Sequence, residues 1–392
     1  MTEKTNTPEL RFPEFSEGWK EFILNDVSIK KSKKNKNNLY NETFTNSAEY
    51  GIVSQKEYFD KEISNKKNLN NYYIVEPNDF VYNPRISNLA PVGPINRNKL
   101  NRTGVMSPLY TVFSTKLSIK SFLEYYFKTS KWHRFMKLNG DSGARSDRFT
   151  IKQSLFIKMP IFLPSNQEQE KIGTFFSKLD RQIELEEEKL ELLEQQKRGY
   201  MQKLFSQELR FKDENAEEYP DWSKTLIKDI FIFENNRRKP ITSSLREKGN
   251  YPYYGATGII DYVKDYLFDN EERLLIGEDG AKWGQFETSS FIANGKYWVN
   301  NHAHVVKSNN HNLYFMNYYL NFKELRTFVT GNAPAKLTHA NLSSISIEMP
   351  IRNEQDKISY LLKDIENRIN NQNTKIQLLQ QRKKGLLQKM FV

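Results

Sequence analysis

Few residues of this 392-residue chain could carry out catalytic chemistry. There is no cysteine, which excludes a disulfide scaffold, a thiolate zinc site, an iron–sulfur cluster and a cysteine nucleophile in this chain. His302 and His304 alternate in an expected strand, so both could face one side, but without a nearby third ligand a structural role is favoured over a metal pair. The sequence has no G-x-x-x-x-G-K-[ST] phosphate loop, and no G-x-G-x-x-G follows a strand, so it predicts neither ATP hydrolysis nor dinucleotide binding.

Two further motifs are incomplete. Asn83-Pro84-Arg85 begins like the Asn-Pro-Pro-aromatic motif of adenine methyltransferases but lacks the second proline and the aromatic residue. Pro220-Asp221 with Lys224 resembles a nuclease motif without a second acid at suitable spacing. We therefore expect no active site in this chain, and thus no enzyme by itself. Two alternatives stay open: a self-contained DNA-modifying or DNA-cleaving enzyme with an unrecognised motif, and a coiled-coil scaffold that binds only protein.

The basic residues could bind an anionic partner. Lys and Arg number 59 against 48 Asp and Glu, a net charge of +11. Residues 1–165 hold 26 Lys and Arg against 16 acids, and five lysines lie within residues 30–36. A basic region with interleaved Asn, Tyr and Phe suits a phosphate backbone, although the lysine run could simply be a solvated loop. Residues 206–350 are slightly acidic, so DNA binding there would need local clusters such as Arg237-Arg238-Lys239.

The sequence also predicts where the protein resides. No segment approaches the ~20 apolar residues that cross a bilayer, and residues 1–14 are polar, without the features of a signal peptide. We expect a cytoplasmic protein with no membrane partner.

An internal repeat organises the chain. Residues 161–205 align without a gap on residues 347–391, at a constant offset of 186, with 16 of 45 positions identical. Glu9-Leu10-Arg11-Phe12 likewise reappears at residues 208–211. The chain is therefore two copies of one unit.

The repeated segments predict two long helices. Apolar residues follow alternating steps of four and three over about five heptads, which is typical of a coiled-coil seam. The pattern is interrupted by Glu186 and Lys197 in the first copy and by Gln372 and Lys383 at the same places in the second. Polar residues at such positions usually fix register and partner choice.

The segments between the helices differ in kind. They are rich in aromatic and β-branched residues and in turn clusters, which indicates strand-rich domains with a few helices, such as residues 121–138 and 313–329. We predict an α+β protein with a head at 1–160, a helix at 161–206, a second head at 207–346 and a second helix at 347–392.

The repeat and its motifs resemble those of a known family. Two unlike heads, each followed by a Pro-x-x-x-Glu-Gln helix that ends in Gly-x-x-Gln-Lys-x-Phe, are similar to the DNA specificity subunit of type I restriction-modification systems. The second head adds YPYYGATG at 251–258, GEDG at 277–280, VNNHAH at 299–304 and GNAPAKLT at 331–338. The first head has weaker counterparts in Gly143-Ala144-Arg145 and Phe149-Thr150.

The resemblance implies a DNA-binding host-defence protein that is not itself catalytic. In that family each head is a target recognition domain that reads one half of a bipartite double-stranded DNA sequence. The two helices pair antiparallel and dock two methyltransferase subunits, which use S-adenosylmethionine to methylate adenine N6. Two motor-nuclease subunits that use ATP and magnesium complete the complex, so no cofactor is expected in this chain.

We predict that loop residues of the heads read bases, because Arg and Lys suit guanine, Asn suits adenine and small polar residues accept either. Phosphate contact or simple surface exposure is the alternative for each of them. The predicted residues are Ser54, Asn83, Arg85, Arg145 and Arg148 in the first head, and Tyr254, Thr257, Lys282, Trp283, Asn301 and Lys336 in the second.

We also predict that the methyltransferase docks on apolar residues outside the helical seam. The heads could cover these residues instead. They are Phe175, Leu185, Leu192, Leu361, Leu378 and Leu387. The recognised DNA should consist of two unrelated half-sites separated by a fixed gap, with each head in a major groove about one turn (~34 Å) apart.

Overall fold

The computed structural model describes residues 6–59, 66–141, 147–331 and 334–392. The chain divides into two compact units. The first contains residues Met1–Leu185 and Lys375–Val392, and the second contains Glu186–Thr374. Each unit therefore combines one head with a part of each long helix.

The elements of the first head are short. Its strands are β1 (Lys20–Ile23), β2 (Ser28–Lys31), β3 (Phe44–Ser47), β4 (Gly51–Ser54), β5 (Tyr73–Val75), β6 (Phe80–Tyr82), β7 (Ile95–Arg97), β8 (Gly104–Met106), β9 (Thr111–Thr115), β10 (Gly140–Asp141), β11 (Thr150–Ile151) and β12 (Pro160–Leu163). Its helices are α1 (Leu24–Val27), α2 (Gln55–Phe59), α3 (Lys120–Phe127), α4 (His133–Asn139) and α5 (Gln153–Phe156), and the first long helix is α6 (Asn166–Phe205).

The second head is built in the same way. Its strands are β13 (Ser223–Leu226), β14 (Ile232–Phe233), β15 (Lys248–Gly255), β16 (Gly258–Val263), β17 (Arg273–Gly277), β18 (Ser290–Ala293), β19 (Trp298–Val299), β20 (Ala303–Lys307) and β21 (Ser346–Met349). Its helices are α7 (Ile227–Ile230), α8 (Leu313–Phe322) and α9 (His339–Ser344), and the second long helix is α10 (Arg352–Lys389).

A four-stranded antiparallel sheet recurs in both heads. Its strand order is β2-β9-β6-β7 in the first unit and β14-β20-β17-β18 in the second. In each unit a two-stranded antiparallel pair, β1-β12 or β13-β21, leads into the long helix. The apolar faces of these sheets pack against α3 or α8, where Phe122 and Phe315 are fully buried. The predicted α+β class is confirmed.

The helices of the heads are shorter than the sequence predicts. The expected helix over 121–138 is two helices, because the chain turns at Thr129, whose buried hydroxyl donates to Tyr126 O (2.7 Å). The expected helix over 313–329 ends at Phe322, and residues Arg326–Phe328 form a separate 3₁₀ turn.

The two long helices pair antiparallel within each unit. In the first unit, Ile172 and Phe176 of α6 share a core with Leu387 and Met390 near the end of α10. In the second unit, Leu204 near the end of α6 shares a core with Ile358 near the start of α10. Since early residues of one helix meet late residues of the other, the chain directions are opposed in both places.

Each polar residue that interrupts the seam bonds to a residue of the other long helix. In the second unit Gln372 Nε2 donates to Glu186 Oε2 (2.7 Å), and these two residues are equivalents in the repeat. Lys197 donates to Glu366 (2.7 Å) in the second unit. Its equivalent, Lys383, pairs with Asp180 in the first unit. These specific polar contacts favour one register, as predicted for polar residues in a coiled-coil seam.

The repeated Glu-Leu-Arg-Phe segment anchors each head to its helix. Arg11 donates to both oxygens of Glu168 (2.7 Å each), and Arg210 does the same for Glu354 (3.2 and 2.8 Å). Both glutamates lie in the first turn of a long helix and are fully buried. The hydrogen bond to Glu354 raises the pKa of Arg210. The repeat identities at these positions therefore have a structural explanation.

Candidate nucleic-acid interface

The first unit carries a cleft of about 530 Å³ beside the β3–β4 hairpin. Asn83, Arg85 and Arg148, three of the five residues predicted for this head, line it together. Arg85 is exposed, whereas Asn83 and Arg148 are half-buried. The cleft thus presents two guanidinium groups, which suit guanine edges, beside an amide that already bonds to the backbone of Asn46 and Arg85.

Backbone pairing between two distant segments holds this cleft together. Phe149 N donates to Pro84 O (2.8 Å), and Arg85 and Arg148 form an isolated antiparallel bridge. Asn83 Nδ2 donates to Asn46 O (2.8 Å), which ties the same segment to the β3–β4 hairpin. The cleft residues are therefore positioned by long-range contacts that sequence spacing does not reveal.

The other two predictions in this head have different outcomes. Ser54 is only 3% exposed, at the end of β4 opposite Phe44, so it presents no face to a ligand, and predicting it as a base reader was incorrect for that physical reason. Arg145 lies outside the described residues.

In the second unit, four loops converge beside β17 and β20. Asn300 N donates to Tyr254 O (3.0 Å), which joins the loop after β19 to the end of β15. Glu278 N donates to His302 O (2.8 Å), which joins the loop after β17 to the same place. Lys336 pairs with Asp279 (3.3 Å) and brings the fourth segment in.

The six residues predicted in this head are not equally accessible. Thr257, Lys282 and Asn301 are exposed, and Lys336 is half-buried. Tyr254 is half-buried, with its ring packed 5.5 Å from that of Phe291. Trp283 is 7% exposed and donates from Nε1 to Gly277 O (3.1 Å). Trp283 therefore packs under the loop that carries it, on the side of the core. Predicting it as a base reader was incorrect because its indole is buried.

The predicted basic cluster at 237–239 has a structural role. Arg237 pairs with Glu271 (2.6 Å) and lies 4.1 Å from the ring centroid of Phe268. The hydrogen bond from Arg237 lowers the pKa of Glu271 to about 2. Arg238 donates to Glu278 (2.6 Å), which fixes the loop that carries Lys282. The sequence did not reveal this supporting role, because Glu271 and Glu278 lie more than 30 residues away along the chain.

The two alternating histidines, His302 and His304, differ in solvent exposure. His302 is exposed and pairs with Asp279, whereas His304 is buried and contacts Leu337 O through Nε2 (2.8 Å). Burial lowers the pKa of His304. Among the described residues no group of three His, Asp or Glu side chains could hold a metal ion. Within the same residues, no helix is both long and apolar enough to cross a membrane.

The six predicted docking residues divide into two sets. Leu387 is 6% exposed in the core of the first unit, and Phe175 and Leu361 pack against the cores of their heads. The prediction that Leu387 is an uncovered flank was incorrect, because the head covers it. Leu185, Leu192 and Leu378 are 48%, 64% and 60% exposed.

Comparison with known proteins identifies the family. The family model described as the type I restriction modification DNA specificity domain matches residues 16–195 and again 219–381. These two matches cover most of the chain and follow its two copies. The chain belongs to this family. The expectation of a specificity subunit, rather than a self-contained enzyme, is confirmed by the matches.

Relatives of this specificity subunit are described as specificity subunits of type I restriction enzymes. It is 43% identical over 141 residues to a putative type I restriction enzyme specificity subunit of Haemophilus influenzae, and this alignment covers 35% of each chain. The matched part of this chain thus spans about a third of the length of the Haemophilus influenzae relative. The chain is 24% identical over 299 residues to a type I restriction enzyme specificity subunit of Methanocaldococcus jannaschii, which covers 69% of this chain and 68% of the relative.

Solved structures show the same fold. The crystal structure of a type I restriction-modification S subunit from M. genitalium aligns over 98% of this chain and 99% of that one, with a TM-score of 0.60 at 15% identity. A second solved structure comes from work on the complex assembly and conformational transition of a type I restriction-modification system. One of its chains aligns over 96% of this chain, with a TM-score of 0.55.

Proposed function

We propose that this specificity subunit recognises an asymmetric bipartite DNA sequence and is the non-catalytic component of a type I restriction-modification complex. The observation that carries the proposal is the duplication of one fold with different loops. The four-stranded sheet and the long helix that follows it occur in both copies of the repeat. The cleft of the first unit and the converging loops of the second unit, by contrast, present different side chains. Different side chains on equivalent frameworks select different base sequences.

The residues proposed to read bases are those that reach solvent. In the first unit they are Asn83, Arg85 and Arg148, with Arg145 as a further proposal from sequence. In the second unit they are Tyr254, Thr257, Lys282, Asn301 and Lys336. Paired loops hold Asn83, Arg85 and Arg148 in the first unit and the five residues of the second, so these readers are preorganised for binding.

The long helices are proposed to dock two copies of one methyltransferase. A partner that binds twice must meet the same residues in both copies of the repeat. The identical positions that are exposed in both copies are Lys189/Lys375, Leu192/Leu378, Gln195/Gln381, Gly199/Gly385 and Lys203/Lys389. Their spacing of three and four residues places them on one helical face, which we call the repeated stripe.

Charged substitutions test the repeated stripe. Leu192→Asp with Leu378→Asp should abolish co-purification with the methyltransferase, because a buried unpaired carboxylate opposes the contact. Leu245, 74% exposed in a 3₁₀ turn of the second head, supplies the control as Leu245→Asp. Retention of the complex in the double variant would refute this docking site.

The cofactors and remaining partners follow from this assignment. S-adenosylmethionine would be held by the methyltransferase, and ATP and magnesium by two motor-nuclease subunits, in the cytoplasm.

The proposal is tested by incubating the purified chain with duplex DNA and magnesium, with and without S-adenosylmethionine. We expect binding without cleavage or methyl transfer, and either reaction without a partner would overturn it in favour of a self-contained enzyme. A failure to bind any duplex, even with methyltransferase present, would favour a protein-only scaffold.

A further inference from the structure

The β15–β16 hairpin of the second unit exposes apolar side chains. Ile259, Ile260 and Tyr262 on β16 are 46%, 48% and 51% exposed. β16 lies at the edge of the sheet with strand order β16-β15-β19. Exposed apolar side chains along an edge strand are uncommon, because such edges promote association.

A β-bulge accounts for two adjacent exposed isoleucines. In the register of the hairpin, Tyr254 opposes Ile259 and Tyr253 opposes Asp261, so Ile260 is an extra residue on β16. A bulge breaks the alternation of side chains and re-aims one of them, and bulges are frequent next to functional sites. Ile260 lies over Gly255, where an added Cβ would be 3.0 Å from Ile260 Cγ2. The glycine thus leaves room for the isoleucine.

The hairpin is continuous with the converging loops. Its turn carries Thr257, and the end of β15 accepts the hydrogen bond from Asn300 N (3.0 Å) beside the exposed Asn301. The exposed Lys248 pairs with Val263 at the other end of the hairpin. The apolar side chains therefore lie between polar residues proposed to read bases and a cation suited to phosphate.

The charge of the second head favours an apolar contribution to DNA binding. Residues 206–350 carry 17 Lys and Arg against 19 Asp and Glu, so general attraction to phosphate is weak there. The major groove of B-DNA admits a β-ribbon, and the thymine C5-methyl is the apolar group displayed in that groove. Because β15 also pairs with β19 at Tyr253 and Tyr254, β16 is the strand that faces outward with the isoleucines.

We infer that the β15–β16 hairpin enters the major groove and that Ile259 and Ile260 recognise a thymine methyl group in the second half-site. This inference rests on the proposed function, since it names a base contact within the proposed DNA interface. A second protein strand added to the β16 edge is the competing occupant, and the test separates the two.

The test compares thymine with uracil, which lacks the C5-methyl. The full chain first selects its preferred duplex from a random-sequence pool, and the thymines of one half-site at a time are then replaced by uracil. We expect wild-type binding to weaken several-fold for one half-site only. Ile259→Ser with Ile260→Ser should bind the thymine duplex several-fold less tightly and show no further loss with uracil. Ile232→Ser, at a 44% exposed isoleucine of β14, is the matched control and should keep the full thymine preference.

Three outcomes would overturn the inference. The first is an unchanged uracil penalty in the double variant. The second is a wild-type chain that is indifferent to uracil in both half-sites. The third is a self-associated wild-type chain that becomes monomeric in the double variant with DNA binding unaltered, which would assign the edge to a second protein strand. A wild-type chain that enriches no sequence, even with methyltransferase present, would instead overturn the proposed function itself. Thermal unfolding checks that each variant is folded.

Discussion

The buried carboxylates Glu168 and Glu354 depend on one arginine each for charge compensation. Each accepts two hydrogen bonds from the arginine of the Glu-Leu-Arg-Phe segment, and Glu354 also accepts one from Trp222 Nε1 (3.2 Å). Bidentate charge-assisted bonds are strong, and a buried carboxylate that loses its partner keeps its full desolvation cost. These pairs therefore hold the start of each head against its helix.

Arg210→Ala should destabilise the chain by about 3–5 kcal/mol, because Glu354 would remain buried without its cation. Denaturant unfolding near neutral pH measures the change. Arg352→Ala is the control, since Arg352 forms an exposed pair with Asp356 four residues along the same helix (2.8 Å). That pair should be worth about 0.3–0.5 kcal/mol. Equal effects of the two substitutions would contradict the anchoring role.

Arg148→Ala tests the cleft of the first unit. If the guanidinium reads a base, binding should weaken by about 1–3 kcal/mol and preference should relax in one half-site only. Selection from a random duplex pool, compared with Lys137→Ala on α4, measures both effects. Uniform weakening across sequences would make Arg148 a phosphate contact.

At the scale of elements, the long helices were predictable and the heads were less so. Local heptad spacing and a gapless repeat determine α6 and α10, so the sequence contains the necessary information. The sheets of the heads form between distant segments, as with β1 and β12, and no local pattern encodes such pairing. The same reason explains why Asn83 and Arg148 could be proposed singly but not placed in one cleft, and why the burial of Ser54 and Trp283 was missed.

Two glycines within the helices need an explanation outside the packing of this chain. A Cβ built on Gly199 or on Gly385 meets no atom within 4 Å among the described residues. Glycine in a helix interior costs about 0.5–1 kcal/mol relative to alanine. Both glycines belong to the repeated stripe, so a partner that approaches the helix backbone closely would account for them.

Gly199→Ala with Gly385→Ala should therefore have opposite effects on the chain and on the complex. The chain alone should gain about 0.5–1 kcal/mol per site, measured by urea unfolding. Co-purification with the methyltransferase should weaken, because the methyl groups obstruct close approach. Unchanged or tighter assembly would show that the partner does not pack at the glycines.

At the scale of the whole molecule, the repeat couples two recognition heads to one pair of helices. α6 spans 40 residues and α10 spans 38, each about 60 Å long at ~1.5 Å per residue. The framework sheets recur while the loops differ, so we expect each half of the target to be read by its own head. The length of the helices should then set the length of DNA left unread between the half-sites.

A four-residue insertion near Glu187 adds about one helical turn, or ~6 Å. We expect it to lengthen the unread gap by one or two base pairs and to leave both half-sites unchanged. Selection of bound duplexes by the variant measures the gap directly. Changed half-sites, or an unchanged gap, would show that the helices do not set the spacing.

The most direct test of the central claim is methylome sequencing of a host that carries the locus, with and without an intact copy of this chain. We predict a motif of two short, unrelated half-sites separated by a fixed number of unread bases. One N6-methyladenine should lie in each half, on opposite strands, and the motif should disappear when this chain is deleted. A motif that survives the deletion, or one that is continuous or palindromic, would contradict the account.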